Sequence, residues 1–115
     1  MRKINTEDVF KMARIIKKGN VAQNIKDAYA AGKAEDADAE QIGVSAFMDI
    51  LCSCSDEKVE GQIYDLLAGI CEKTAEDIKK QSLETTVEDV KNICKENNVV
   101  NFLKSAVSAS KNISK

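Results

Sequence analysis

A chain of 115 residues with 43% apolar and 31% charged side chains and a net charge of −2 reads as one soluble globular domain, long enough to bury roughly two-thirds of the surface its unfolded form exposes. That balance excludes a disordered or collagen-like chain. With no Pro, only five Gly and no sustained alternation of β-branched and aromatic residues, the sequence predicts an all-α fold.

The first helix announces itself strongly. Asn5 or Thr6 can cap it, since either side-chain oxygen can accept from a backbone N–H that the first turn leaves unpaired. Glu7 and Asp8 lie at the positive end of the helix dipole, Lys17 and Lys18 at the negative end, and Gly19 offers the positive φ that closes many helices. Val9, Met12, Ala13 and Ile16 fall at i, i+3, i+4 and i+7 on one face, flanked by Phe10 and Ile15 on opposite sides. This apolar arc is wider than one neighbour can cover.

Gly19-Asn20 is a turn, and residues 21–31 read as a weaker helix held by Ile25, Ala28 and Tyr29 and closing at Gly32. Residues 33–40 are acidic and form either a solvated linker or the exposed first turns of the next helix. From residue 42 to 54 apolar side chains cover nearly the whole circumference, which predicts the most buried, central helix. Ser55 caps a fourth helix carrying Val59, Ile63, Leu66 and Ile70 on its inner stripe. Thr74 with Asp77 resembles a capping box for a short helix to Lys80. Thr85 with Glu88 forms another, opening a helix with Val87, Val90, Ile93 and Cys94 inward, and Asn97-Asn98 ends it in the left-handed region. A last helix over 99–107 carries Phe102, Leu103 and Ala106. The expected architecture is a bundle of about six short helices around the 42–54 helix, one domain over 1–107, with a flexible polar tail at 108–115.

Catalytic chemistry finds few candidates. There is no His, which removes the commonest general base, the commonest zinc ligand and every Ser-His or Cys-His nucleophile. Cys52 and Cys54 are spaced unlike zinc-ribbon or thioredoxin pairs, and Cys71 and Cys94 supply no second pair, so the cysteines read as core packing. Asp36, Asp38 and Glu40 alternate, but Gln41 stands where a calcium loop starting at Asp36 needs glycine. No glycine-rich phosphate loop is present. The expectation is no catalytic residue, no metal and no cofactor: not an enzyme.

Nucleic acid is not the expected partner, because the helix after Thr85 carries Glu88, Asp89 and Glu96 against Lys91 and Lys95. A membrane is not expected either, since the longest apolar-rich run contains Asp49 and is too short to span a bilayer, and the first helix is diluted by Glu7 and Asp8. The basic N-terminus is not followed by the apolar run of a secretory signal, and four thiols in such a chain point to a reducing cytoplasm.

Charge is polarised along the chain. Residues 1–18 carry six bases and two acids, 19–60 three and nine, 61–90 three and seven, and 91–115 five and one. Two basic ends thus flank an acidic middle, as ordinary solubilising charge or as complementary docking between copies or partners. The residues marked out for partner binding are Phe10, Lys11, Arg14, Ile15 and Lys18 on the first helix, with Phe102 and Leu103 on the last as second candidates.

The opening Met1–Lys18 stretch, with Glu40-Gln41-Ile42-Gly43, Ile63-Tyr64-Asp65-Leu66-Leu67-Ala68-Gly69, Lys95-Glu96-Asn97-Asn98 and Phe102–Ala106, resembles the tail assembly chaperones of long-tailed phages and prophages of Gram-positive bacteria. The resemblance covers most of the chain, and its motifs are structural rather than catalytic. It implies a protein of the bacterial host cytoplasm that coats the tape measure protein, keeps it soluble and brings tail tube subunits to it. Self-association fits the same picture. Members of this family are often accompanied by a longer frameshifted product whose extension contacts tube protein. Ser110-Lys111-Asn112 permits the slippery heptamer A-AAA-AAC with suitable codons. The alternative is a small helical adaptor or regulator, with or without a link to nucleic acid.

Overall fold

The structure is a computed structural model that describes residues 2–34, 38–53 and 57–112. Among these the chain forms seven α-helices and no strand: α1 (Thr6–Gly19), α2 (Ala22–Ala34), α3 (Ala39–Ser53), α4 (Glu57–Cys71), α5 (Ala75–Lys80), α6 (Leu83–Glu96) and α7 (Val99–Asn112). The all-α expectation holds. The main packing is α1 on α7 and on α4, α2 on α3, α4 on α5, and α3 on α6 and α7.

Two capping boxes set helix starts, of which the sequence reading had the Thr74 box and, for the first helix, the cap at Asn5 or Thr6 without its Asp8 partner. Asn5 caps α1, accepting from the Asp8 N–H while the Asp8 carboxylate accepts from the Asn5 N–H. Thr74 and Asp77 do the same for α5. Each box satisfies two backbone donors that a bare helix end leaves orphaned. The α1 terminus differs in detail. Asn20, at φ 54°, takes the left-handed position expected of Gly19, and its N–H returns to the carbonyls of Ile16 and Lys17.

Three further boundaries and the conformation of one helix end depart from the sequence reading. Helix α2 runs through Gly32, which is buried because Ile42 lies against it; a Cβ there would stand 2.4 Å from Ile42 Cγ1. The glycine serves close helix approach rather than termination. Helix α6 opens at Ser82, three residues before Thr85, and Thr85 donates its backbone N–H to the Ser82 hydroxyl. Asn97 ends α6 in extended conformation, at φ −136°. Helix α7 continues to Asn112, past the expected end at 107, because Ser110 extends the stripe of Val99, Phe102, Leu103, Ala106 and Val107 and returns its own hydroxyl to the Val107 carbonyl at 2.6 Å. The Ser55 cap and residues 113–115 lie outside the described residues.

The core also shifts. Helix α4 is the most thoroughly covered, with Val59, Ile63, Leu66, Leu67, Ala68, Ile70 and Cys71 buried. Helix α3, expected at the centre, buries Ala46, Phe47 and Ile50 but leaves Val44, Met48 and Leu51 partly open and Cys52 exposed. Its neighbours α2, α6 and α7 cover one side only, so an apolar circumference does not by itself make a wrapped helix.

Polar links position the ends. Arg2 sends its backbone N–H to the Ile70 carbonyl and Ile4 sends its own to Asn97 Oδ1, so the segment before α1 straps the end of α4 and the α6–α7 turn. Lys73 Nζ reaches Asp89 and Gln81 at 3.0 Å each, and Gln81 Nε2 reaches Asp89 and Thr86, which fastens the α4–α5 corner to α6. The Tyr29 hydroxyl donates to the Val100 carbonyl at 2.8 Å, linking α2 to α7, and Lys104 Nζ lies over its ring. Burial pushes the Tyr29 phenol up to about 12.

Candidate protein-binding surfaces

At 100° per residue, Glu7, Phe10, Lys11, Arg14, Lys17 and Lys18 occupy one arc of about 120° on α1. This is the outward face. Phe10 is 46% exposed near one edge of the arc, Lys11 is half-buried and paired with Glu7 at 3.5 Å, and Arg14, Lys17 and Lys18 make no ion pair among the described residues. Arg14, Lys17 and Lys18 line a crevice of about 420 Å³ with Gln62 of α4, and Lys11 and Arg14 line a smaller one with Gln62 and Asp65. Gln62 Oε1 is buried there with no hydrogen-bond partner among the described residues.

The structure divides the residues marked out for binding. Phe10, Lys11, Arg14 and Lys18 stay together on this face. Ile15 does not belong to it, being fully buried in the core. Leu103 is likewise fully buried, and Phe102 is 6% exposed, with only its margin reaching an Asn-rich crevice between the start of α1 and the α6–α7 turn. Those three are packing residues and drop out of the surface.

A second surface was missed in the sequence reading. Leu83, first residue of α6, is 70% exposed. It lines a groove of about 310 Å³ with Leu51, Ile63, Tyr64, Ile78 and others, and also an adjoining depression with Val87, Glu84 and Glu88. Glu60 stands at the groove and accepts from the Tyr64 hydroxyl, which raises the Tyr64 phenol above its ordinary value. The signal available in sequence was Leu83 directly after a capping serine, one turn before Val87. The Thr85 start hid it by placing Leu83 in a turn.

Elsewhere the chemistry is that of packed groups. Burial pushes the Cys71 thiol up to about 11, with the Asp89 charge adding to it, and the Cys94 thiol up to about 12, with Glu40 adding. Both are therefore protonated at neutral pH. Among the described residues no cluster of three or more His, Cys, Asp or Glu could hold a metal ion, and no helix is long and apolar enough to cross a membrane.

Comparison with protein-family models, with curated proteins and with solved structures gives no match.

Proposed function

We propose that this chain is a non-catalytic protein-binding bundle, a phage tail assembly chaperone that binds and solubilises the tape measure protein in the bacterial host cytoplasm and brings tail tube subunits to it. The observation that carries the reading is Phe10, a large aromatic ring held half in solvent along the margin of a basic helix face, one and two turns from Arg14 and Lys17, on a helix whose own core side is packed. Aromatic anchors ringed by polar or charged groups are what binding hot spots are made of. The resemblance of the chain to such chaperones supplies the partner. A long helix-rich protein offers apolar stripes for Phe10 and carboxylates for Arg14, Lys17 and Lys18.

The test is co-expression with the tape measure protein encoded beside it. The chaperone reading requires the tape measure protein to move from the pellet to the soluble fraction when this chain is present, and to co-purify with it. The route to tube subunits is a longer frameshifted form. Its expected signature is A-AAA-AAC across the codons for Ser110-Lys111-Asn112, with an open minus-one frame beyond, and other codons there remove that form at this site.

The alternative of a nucleic-acid-linked adaptor draws on the unpaired cations of the same face. It requires DNA binding that weakens steeply with salt and is indifferent to Phe10.

A further inference from the structure

Phe10 and Leu83 are the two large apolar side chains left exposed on the described surface. Their surroundings carry opposite charge. Phe10 shares its arc with Arg14, Lys17 and Lys18, whereas Leu83 sits against Glu84 and Glu88, with Glu60 at the far wall of its groove. Lys79 and Lys91 also stand at that rim, so the acidic excess there is modest. Neither Glu84 nor Glu88 forms an ion pair among the described residues, and neither do the three cations of α1. The α1 face meets α4 at Gln62 and Asp65, whereas the Leu83 groove meets it at Glu60, Ile63 and Tyr64, which the helical period puts on the other side of α4, so the two surfaces face apart within one chain.

We propose that the Leu83 groove receives the Phe10 face of a second copy of this chain, so that copies associate head to tail. The occupant follows from charge and shape. Phe10 meets the apolar walls of Leu51, Leu83 and Val87, and Arg14 and Lys17, at i+4 and i+7 from it, reach the free carboxylates of Glu84 and Glu88. Face-to-face pairing of two α1 arcs would oppose cation to cation, so charge selects the unlike pairing. A pair then keeps one free face at one end and one free groove at the other, and the chain of contacts extends until it closes or is capped. This proposal concerns the chain alone, and it stands or falls separately from tape measure binding.

Sedimentation velocity of the purified chain across concentration and salt tests it, with two variants, Phe10→Asp and Leu83→Asp. Both positions are exposed, so both variants are expected to keep the wild-type helical spectrum and melting transition. The wild-type chain should grow in mass with concentration at low salt and shrink toward the monomer as salt rises. Each variant alone should be monomeric. A mixture of the two should give a one-to-one dimer and nothing larger, because one intact face meets one intact groove and both remaining ends are blocked. A wild-type chain that stays monomeric at low salt and high concentration overturns the proposal. So does assembly that persists in either variant, or a mixture that fails to pair.

Discussion

Arg2 grips the buried carboxylate of Asp8 with its two terminal guanidinium nitrogens, at 2.7 and 2.9 Å, while the same carboxylate caps α1 through the Asn5 N–H. One acid thus closes the helix start and anchors the strap that crosses the end of α4. Burial by itself would raise the Asp8 carboxyl, but the Arg2 hydrogen bond, the Asn5 backbone and the charges of Arg2 and Lys11 together lower it below the ordinary carboxylate value. The stability it contributes is fully present above the unfolded-state value of roughly 3.9 and is lost as pH falls through the lower folded-state value. Arg2→Ala leaves the carboxylate half-satisfied and should cost about 2 kcal/mol at neutral pH. Urea unfolding from pH 6 down to pH 2 should show the wild-type loss in that window, and a smaller or reversed slope in the variant.

Phe10→Ser and Ile15→Ser separate surface from core on one helix. Ile15 is fully buried, so its replacement should cost about 3–4 kcal/mol through the lost apolar contact and an unpaired hydroxyl. Phe10→Ser should stay within about 0.5 kcal/mol of the wild type. Equal losses in chemical unfolding would mean that the Phe10 ring is also packed.

Gly32→Ala pits helix propensity against space. Alanine gains about 1 kcal/mol in a helix interior, but its Cβ would lie 2.4 Å from Ile42 Cγ1 and 2.9 Å from Cδ1. The clash should win, for a net loss of about 1–3 kcal/mol. In an Ile42→Ala background both offending atoms are gone, and the same substitution should become neutral or stabilising. A double-mutant cycle measures this coupling directly. Gly61→Ala, with nothing within 4 Å of its Cβ, should stabilise α4 by about 0.5–1 kcal/mol.

Thiol reactivity should sort the cysteines by position. Cys52 is exposed, whereas Cys71 and Cys94 are buried with raised values. In a Cys54→Ser chain, which removes the thiol that lies outside the described residues, an aromatic disulfide reagent should label Cys52 rapidly at pH 8. Cys71 and Cys94 should react only as fast as the chain opens. Peptide mapping after brief labelling distinguishes them.

Local signals were the legible part of the fold. The Thr74–Asp77 box and a cap at Asn5 or Thr6 could be read because the partners lie within one turn, although the part of Asp8 in a reciprocal box with Asn5 emerges only in the structure. Ser82 could not, because Thr85-Thr86-Val87-Glu88 fits the box pattern better in sequence, while the structure begins the helix at Ser82, beside the Lys73–Gln81–Asp89 network. The extent of α7 was hidden by Ser110, whose polarity is neutralised by a hydrogen bond to its own helix. Phe10 and Ile15 flank the α1 stripe symmetrically, and only the placement of the helices packed against α1 decides which of them is covered. That is long-range packing. The exposed side of α3 was unreadable for the same reason.

The binding of purified chain to immobilised tape measure protein, compared between wild type and Phe10→Ser, tests the central claim most directly. Saturable binding by the wild-type chain, weakened at least tenfold by Phe10→Ser with the variant's fold intact, is the predicted result. No binding by the wild-type chain, or equal binding by the two, would contradict the account.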